Sequence, residues 1–414
     1  MAKVFEFRCP IHGFIELDEW ERDIVSQPAF QRLRRIRQLA WTDYVYPGAM
    51  HTRFEHSLGV MHTATRIYDA IAKQSKELLE SAFGINEDGL RRERRLVRLA
   101  ALLHDVGHGP FSHAVEGLLP VKNGRRYDHE DYSAEIIRVL LADVIDHHPM
   151  NSNYGWKADD VANYIAGGSK LNTSIFWREI ISSQMDADRM DYLLRDAYHM
   201  GVTYGHYDLD RLINTMCAVE QDDVAPRVGV TEGGWHAAES LVMARYYMFT
   251  QVYFHRTRVA YDHHISQALK ACVPATGLPK PDKRGLEKYL QWDDWKVLGR
   301  IAEGKAGDHG RRLKERDHYR VVYNTPESAS IADIQKLERV QAHLGDLIVY
   351  EAPASKSWYK VDQTEIPVRM EQGGTNPLSV LSAPVMNIGT SRQVLLYSTN
   401  ENKDKARKRA QETT

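Results

Sequence analysis

Residues 102–113 constrain this chain more than any other part of its sequence. The stretch begins as an apolar run and passes directly into a turn rich in glycine and proline, with His104 and Asp105 at the boundary. Because these two residues are adjacent, a regular helix would direct their side chains about 100° apart. Both can reach one ion only where a helix ends, and glycine and proline favour such an end. The stretch therefore predicts half of a metal site, with further ligands elsewhere in the chain.

The bulk composition indicates a soluble globular protein. The chain has 414 residues, of which 43% are hydrophobic and 27% charged, enough for a large core and more than one domain. A net charge of −2 and a pI near 6.8 argue against a global basic field for nucleic acid, although a local basic groove stays open. Three distant cysteines predict free thiols in a reducing, cytoplasmic compartment. We expect neither a signal peptide nor a membrane span, because no long apolar run is present.

Hydrophobic periodicity predicts a mainly α fold, with a helical core and a small α+β C-terminal unit. The expected parts are an N-terminal arm and helix (1–50), a catalytic core with long helices (51–275), a linker and helical region (276–317) and the α+β unit (318–414). In the first part we predict a turn at 10–13 and a helix from Ile24 to Leu39. In the second we predict a long helical region from Trp235 to Val273. In the last part we predict one helix at Ile331–Leu344 and a charged tail from Asn400 that should fray. The same part contains four short β-like runs, at Tyr319–Tyr323, Leu347–Tyr350, Tyr359–Val361 and Val394–Tyr397.

Two features near the N-terminus allow two interpretations each. The helix predicted from Ile24 carries four arginines, which could form a solvated face or bind an anion such as a nucleotide phosphate. The next strong helix starts at Phe54 and places His56 near its first turn. A lone histidine there is more often a satisfied interface residue than a ligand. The arginines are Arg32, Arg34, Arg35 and Arg37.

Two further segments combine charge with helix signals. Asp128 is a candidate N-cap before His129 and Glu130, and a histidine beside an acid suits acid–base work, although a simple cap is equally compatible. The segment from Ile180 to Met200 has an apolar face but contains several aspartates, which are poor helix formers and repel one another. Residues that disfavour the helix they belong to are expected where a functional requirement outweighs helix propensity. The aspartates are Asp186, Asp188, Asp191 and Asp196.

Taken together, His56, His104, Asp105 and Asp188 provide two imidazoles and two carboxylates. Mixed nitrogen and oxygen ligands suit a divalent Mn, Fe, Mg or Zn ion. Four protein ligands on an octahedral ion leave positions for water and a phosphate oxygen. Other histidines and arginines of the same segments could then surround bound phosphates. These are His108, His113, His129, Arg53 and Arg189.

The order and spacing of these residues resemble the HD-domain metal phosphohydrolases. The resemblance extends to the deoxynucleoside triphosphate (dNTP) triphosphohydrolase branch and covers roughly residues 3–265. The motif set is specific, whereas a bare His-Asp pair would be weak. The matching segments are Pro10–Gly13, Phe30–Arg34, Phe54–Val60, His104–His113 and Asp188–Tyr192.

The resemblance implies a metal-dependent enzyme that hydrolyses a dNTP to the deoxynucleoside and inorganic triphosphate and so controls dNTP pools, with antiviral defence as one setting. It implies His56, His104, Asp105 and Asp188 as metal ligands. It assigns His108, His113 and His129 to the phosphate chain and proton transfer, with Glu130 orienting His129. It further implies contacts to phosphate by Arg53 and Arg189, to the sugar by Tyr192 and Asp196, to the 3′-hydroxyl by Gln38 and to C2′ by Tyr261.

The resemblance also implies a homo-oligomer, as a dimer, tetramer or larger ring, and an effector site. Gln31 and Arg34 match the effector segment, but Ser26 and Cys9 stand where acids are usual in the family, so strict GTP activation is not expected. A nucleotide effector at a subunit interface stays a prediction.

Two alternatives stay open. One is an HD-family nuclease or nucleotide phosphodiesterase acting on single-stranded nucleic acid, against which the near-neutral charge argues. The other is a non-catalytic nucleotide sensor, against which the complete ligand set argues.

Overall fold

The computed structural model describes residues 4–168, 172–221, 224–353, 365–388 and 393–413. Within these ranges the chain is mainly helical with small sheets, which confirms the predicted fold class. No helix in the described ranges is both long and apolar enough to cross a membrane.

An antiparallel β-hairpin precedes the helices and pairs Phe5 with Leu17. The predicted turn at 10–13 is present and ends at Gly13, whose φ of 75° favours glycine. The helical core follows the hairpin. Its elements are β1 (Phe5–Cys9), β2 (Gly13–Leu17), α1 (Glu19–Val25), α2 (Pro28–Gln31), α3 (Arg53–Gln74), α4 (Lys76–Phe83), α5 (Glu87–Leu103), β3 (Val121–Lys122), β4 (Arg125–Arg126), α6 (His129–Leu140), α7 (Ala142–Asp146), α8 (Ala158–Ala166), α9 (Asn172–Arg178) and α10 (Ala187–Met200).

Helices α3, α5 and α10 form the centre of this core, since α3 packs against both of the others. Each begins at a capped residue. Thr52 and Glu55 form a capping box at α3, and the side chains of Asn86 and Asp186 accept from backbone N–H groups at α5 and α10. Helix α5 ends at Leu103, so His104 lies at the helix end, as the adjacent His-Asp pair predicted.

The single helix predicted from Ile24 to Leu39 is wrong. The chain instead forms α1, α2 and a 3₁₀ turn at Arg32–Arg35, and it becomes extended at Ile36. The break between α1 and α2 falls at Gln27, whose extended backbone precedes Pro28. Arg32, after this break, is buried and donates from Nε and Nη2 to the carbonyl oxygen of Trp292 at 3.1 and 2.8 Å. The four arginines therefore do not share one solvated face.

The second half of the chain surrounds this core. Residues 235–273 are not one helix, because a π-helical turn at Phe249–Tyr253 separates two α-helices. Residues 276–317, expected in part as a linker, form three short helices that pack on the core. The elements are α11 (Leu209–Thr215), β5 (Met216–Gln221), β6 (Val224–Thr231), α12 (Trp235–Met248), α13 (Arg256–Cys272), α14 (Leu286–Leu290), α15 (Asp294–Ala302) and α16 (Gly307–Glu315).

The C-terminal part contributes to two sheets. Strands in the order β7–β11–β8 pack with α17 and α20 around their own small core, whereas β9 and β10 join β6 and β5 in a four-stranded sheet. The predicted helix Ile331–Leu344 is confirmed. The elements are β7 (Arg320–Asn324), α17 (Ile331–Leu344), β8 (Tyr350–Pro353), β9 (Pro367–Arg369), β10 (Thr375–Pro377), α18 (Leu378–Leu381), α19 (Ala383–Asn387), β11 (Val394–Ser398) and α20 (Lys403–Glu412).

Two details of this part differ from the sequence expectation. The tail predicted to fray from Asn400 forms α20, because Ala406 and Ala410 pack into the small core. The strand expected at Leu347–Tyr350 begins only at Tyr350, after a 3₁₀ turn. The strand predicted at Tyr359–Val361 lies outside the described residues.

Burial of Glu93 in α5 gives a testable pH dependence. The side chain is 6% exposed, and burial raises the pKa of its carboxyl to about 7. The folded state then binds an extra proton relative to the unfolded chain, so stability falls as the pH rises from about 4.5 to about 7. We expect Glu93→Gln to remove this loss and to stabilise the fold at pH 8, but not at pH 4.5, by on the order of 1–3 kcal/mol.

The thermal unfolding midpoint at the two pH values measures the effect. The control is Glu338→Gln, an exposed glutamate on α17. Equal shifts at both pH values would contradict the argument.

Candidate active site

Four side chains from three helix ends converge at the centre of the core. His56 is in the first turn of α3, His104 and Asp105 follow α5, and Asp188 is in the first turn of α10. Asp188 Oδ1 lies 3.0 Å from His56 Nε2 and 3.9 Å from His104 Nε2. Asp105 Oδ1 lies 3.3 Å from His104 Nε2. The structure thus brings together all four residues predicted as metal ligands.

The hydrogen bonds of the two histidines suit a metal. His56 donates from Nδ1 to Asp191 Oδ2 at 2.8 Å, and His104 donates from Nδ1 to the carbonyl oxygen of Ala101 at 2.8 Å. Both Nε2 atoms are buried without a hydrogen bond from the described residues. Although burial lowers it, the neighbouring carboxylates raise the pKa of both rings, and a bound cation would replace the proton on each Nε2 atom. His56, His104 and Asp188 can each direct one ligand atom to within 4.8 Å of the others, and Asp105 lies beside His104, so the set fits a divalent cation.

Asp191 is a functional residue that the sequence did not single out from its neighbours. Its carboxylate is fully buried and accepts from His56, from His12 Nε2 at 2.7 Å and from Arg195 Nε and Nη2, each at 2.8 Å. Although burial alone would raise it, Arg195 and the two histidines hold the pKa of Asp191 well below its usual range. The residue therefore stays ionised and fixes the tautomer of a metal ligand.

A second group of histidines lies beside the metal residues. The rings of His108 and His129 stack with their centroids 3.9 Å apart, and His108 Nε2 lies 3.2 Å from Asp105 Oδ1. Burial, together with the charges of Arg53 and His129, lowers the pKa of His108 well below its usual range. His108 is therefore neutral and suited to accept or relay a hydrogen bond.

The carboxylate that holds His129 is that of Glu116, and not of Glu130 as expected. Glu116 Oε1 accepts from Nδ1 of His129 at 2.9 Å and from Nδ1 of His113 at 2.8 Å. Glu130 follows His129 directly on α6, is exposed, and makes no described hydrogen bond to His129, although it lines the edge of the same cavity. Although burial raises it, the two imidazoles lower the pKa of Glu116. A carboxylate three residues after His113, in the 3₁₀ turn, was the available sequence signal.

These residues line a cavity of about 310 Å³, here named the His/Asp cavity. Three arginines line it, Arg53, Arg189 and Arg178, the last of which the sequence did not suggest. Arg53 donates to Asp105 and, from Nε, to Ser112 Oγ at 2.8 Å. The lining also includes Gln38, His104, Asp105, His108, His113, His129, Glu130, Asp188 and Tyr192.

The turn that carries His113 is strained and held from outside the core. Phe111 and Ser112 both have left-handed φ angles, of 55° and 56°, which non-glycine residues rarely adopt. Asp294, at the start of α15, accepts from the N–H of Phe111 at 2.7 Å and from that of Arg37 at 2.8 Å. The buried Asp294 side chain therefore ties the turn to the backbone of Arg37, next to Gln38.

A second cavity of about 440 Å³ adjoins the first, since Gln38 and His113 line both. Its walls include Tyr253, Arg258 and Asp262 from the core and Tyr350 from β8 of the C-terminal part. The Oε1 atom of Gln38 is buried and has no hydrogen bond from the described residues. The adjoining cavity is larger and richer in aromatic groups than the His/Asp cavity.

Two residues predicted to contact the sugar line neither cavity. Asp196 is 1% exposed, and its carboxylate accepts from His51 Nε2 at 2.7 Å and from the Tyr253 hydroxyl at 2.6 Å. Tyr261 is 1% exposed and packs edge-to-face on Tyr44 with centroids 5.3 Å apart. The resemblance implied both contacts, but neighbouring side chains occupy the faces that were expected to meet substrate.

The predicted effector residues lie together on the surface, away from both cavities. Arg34 donates from Nε to Gln31 Oε1 at 2.9 Å, and its guanidinium lies 3.5 Å from the Phe54 ring centroid. An effector site there stays a prediction.

The comparisons with known proteins agree with this geometry. Residues 53–196 match the family model of the HD domain, and residues 207–369 match that of the HD-associated region. The chain is an HD-domain protein. An HD domain holds a divalent metal on a His and Asp set of this kind.

Several relatives of this HD-domain protein are considerably longer. The chain is 40% identical over 250 residues to "Uncharacterized protein YwfO" of Bacillus subtilis, covering 60% of the chain and 51% of YwfO. It is 36% identical over 198 residues to the "Deoxynucleoside triphosphate triphosphohydrolase SAMHD1 homolog" of Dictyostelium discoideum, covering 46% and 35%. The chain thus spans about half or less of the length of these relatives.

A solved structure is similar over almost the whole length. It is that of a hypothetical protein from Aquifex aeolicus, with a TM-score of 0.81 and 28% identity, covering 98% of this chain and 100% of that one. The arrangement of the HD domain and the following region is therefore shared with that protein.

The contact from Asp191 to His56 gives a testable prediction. Asp191→Asn removes the charge that fixes the His56 tautomer, and we expect metal affinity to fall about 10–100-fold. Metal content after dialysis against a graded chelator measures the loss. Asp210→Asn on exposed α11 is the control, and unchanged affinity in a folded Asp191→Asn protein would contradict the assigned role.

Proposed function

We propose that this HD-domain protein is a metal-dependent dNTP triphosphohydrolase that releases the deoxynucleoside and inorganic triphosphate. One observation carries the proposal. The cavity lined by the candidate metal-binding residues is also lined by three arginines and adjoins, at Gln38 and His113, a second, larger cavity. A triphosphate in the first and a nucleoside in the second would place the bond between them at that junction. The resemblance to the SAMHD1 homologue supports the same substrate class.

The residues of the chain suit each part of such a reaction. Arg53, Arg178 and Arg189 would bind the charge of the phosphate chain. A divalent cation on the His/Asp set would polarise the phosphoryl group and activate water. His113, which lines both cavities, would protonate the departing 5′-oxygen, and Glu116 would hold its ring and that of His129 in position. Gln38 offers a buried amide oxygen at the junction, where a sugar hydroxyl could donate to it.

The metal could be Mn, Fe, Mg or Zn, because the donor set of imidazoles and carboxylates accepts all four. Pool control, oligomerisation and a nucleotide effector belong to this proposal and rest on the family resemblance.

A nuclease or nucleotide phosphodiesterase is the second candidate. It would use the same metal residues but would need an open groove for a continuing strand. Two adjoining cavities of about 310 and 440 Å³ match the phosphate and nucleoside parts of a mononucleotide instead.

Product analysis tests the proposal directly. We expect purified protein with Mn or Mg to convert at least one dNTP, alone or in a mixture, to deoxynucleoside and triphosphate, resolved by ion-exchange chromatography. His56→Ala and Asp188→Ala should abolish turnover, because each removes a metal ligand. Release of diphosphate only, cleavage of single-stranded DNA without dNTP hydrolysis, or no turnover with any mixture would refute the proposal.

Replacement of the two glutamates beside His129 separates their roles. Glu116→Gln removes the charge that orients His113 and His129, and we expect kcat to fall about 10²–10⁴-fold with metal content unchanged. Glu130→Gln is the matched control and should have a far smaller effect, because Glu130 does not contact His129. Steady-state kinetics with the preferred dNTP measure kcat for both variants. A larger fall in kcat for Glu130→Gln than for Glu116→Gln would instead assign the orienting role to Glu130.

A further inference from the structure

One buried acid supports the candidate active site from outside the central helices. Asp294 is the first residue of α15, and it is 1% exposed. Both of its oxygens are engaged, since Oδ1 accepts from the N–H of Phe111 at 2.7 Å and Oδ2 accepts from the N–H of Arg37 at 2.8 Å. Asp294 therefore joins two backbone segments that are far apart in the sequence.

Each of these two segments carries a side chain of the candidate active site. His113 follows Phe111 by two positions, and Gln38 follows Arg37 directly. Gln38 and His113 line both the His/Asp cavity and the adjoining cavity. A backbone shift at either hydrogen bond to Asp294 would therefore change the distance between the two side chains at the junction.

Ser112 forms a second link between the same segments. Its Oγ donates to the carbonyl oxygen of Arg37 at 2.8 Å and accepts from Nε of Arg53 at 2.8 Å. The N–H and the carbonyl group of Arg37 are thus both held, the first by Asp294 and the second by Ser112. Since Arg53 also donates to Asp105, the network extends to the candidate metal ligands.

The turn depends on these hydrogen bonds because its backbone is strained. Phe111 and Ser112 are consecutive non-glycine residues with φ angles of 55° and 56°. Such residues keep a left-handed conformation only where the surrounding contacts compensate the strain. Without an acceptor for the Phe111 N–H, the turn would relax and displace His113.

The ionised form of Asp294 suits this geometry. A carboxylate accepts at both oxygens, whereas a protonated carboxyl has one hydroxyl group that donates and accepts only weakly. Burial raises the pKa of Asp294 to about 7, although the N–H groups of Arg37 and Phe111 and the charges of Arg37 and Arg32 lower it. The charged or titratable groups that face Asp294 or these arginines are Arg32, Arg37, Asp43, Asp293 and Tyr289.

We propose that Asp294 is a positioning residue of the candidate active site, whose ionised side chain holds His113 and Gln38 at the cavity junction and whose protonation releases the turn. This role rests on the proposed function, because it assumes that the two side chains act on one substrate.

Activity and stability should then respond to pH in opposite directions. The folded state binds a proton at Asp294 more tightly than the unfolded chain does, so the contribution of this group to stability falls as the pH rises from about 4 to about 7. Over the same range the turn gains its acceptor, and turnover should increase. A group that only stabilised the fold would not separate the two quantities.

Backbone hydrogen exchange of the full chain tests the release without substrate. Peptides that cover residues 106–114 should be about tenfold less protected at pH 6 than at pH 8, after correction for the intrinsic pH dependence of exchange. Asp294→Asn should show the weak protection at both pH values. Asp293→Asn is the matched control, because it removes a charge one position earlier and keeps a capping side chain. Equal protection at the two pH values in wild type would overturn the proposal.

The pH dependence of turnover is the second arm of the test. With the preferred dNTP, wild-type kcat should rise through a step near pH 7. Asp294→Asn should lack this step and have a kcat about 10–100-fold below wild type at pH 8, whereas Asp293→Asn should keep the step. A lower unfolding midpoint in Asp294→Asn with an unchanged pH profile would indicate a purely structural role and overturn the proposal. If no dNTP is hydrolysed, the proposed function fails, and the exchange measurement alone decides whether Asp294 holds the turn.

Discussion

The buried carboxylate of Asp191 is the interaction on which the site depends most. It accepts from His12 in the hairpin turn, from His56 on α3 and from Arg195 on its own helix, so it joins three parts of the chain at one charge. A carboxylate without these donors would be costly to bury. The close approach needs Gly59, where a Cβ atom would lie 1.9 Å from Asp191 Oδ1.

A second group of contacts supports the site from outside the central helices. Residues 289–294 contact both the turn that carries His113 and the segment Arg32–Arg37. The Tyr289 hydroxyl donates to the Gly107 carbonyl oxygen at 2.7 Å, Trp292 accepts from Arg32, and Asp294 accepts from Phe111 and Arg37. Residues of the helical region that follows the linker therefore stabilise the strained turn, which explains why Phe111 can keep a left-handed conformation.

The sequence predicted the metal residues better than their supporting contacts. His104 and Asp105 could be identified from the sequence, because an adjacent histidine and aspartate at the end of an apolar helix indicate a metal site. Asp191 could not, since it is one acid among several in a charged helix, and neither could Glu116, a single acid in a 3₁₀ turn. Their importance arises from contacts across the fold, such as that between His56 and Asp191, which are 135 positions apart in the chain. Asp196 shows the reverse error, because a resemblance in sequence does not reveal which side chains meet a residue from the rest of the fold.

The sequence by itself determined the mainly helical class, the helix end at His104 and the set of candidate metal-binding residues, because these follow from local periodicity, glycine and proline positions and residue chemistry. Only the tertiary structure decided which carboxylate holds which histidine, which arginines are buried and which cavities adjoin. Those properties depend on contacts between residues far apart in the chain. Periodicity along one helix contains no information about the side chain that packs against it from another.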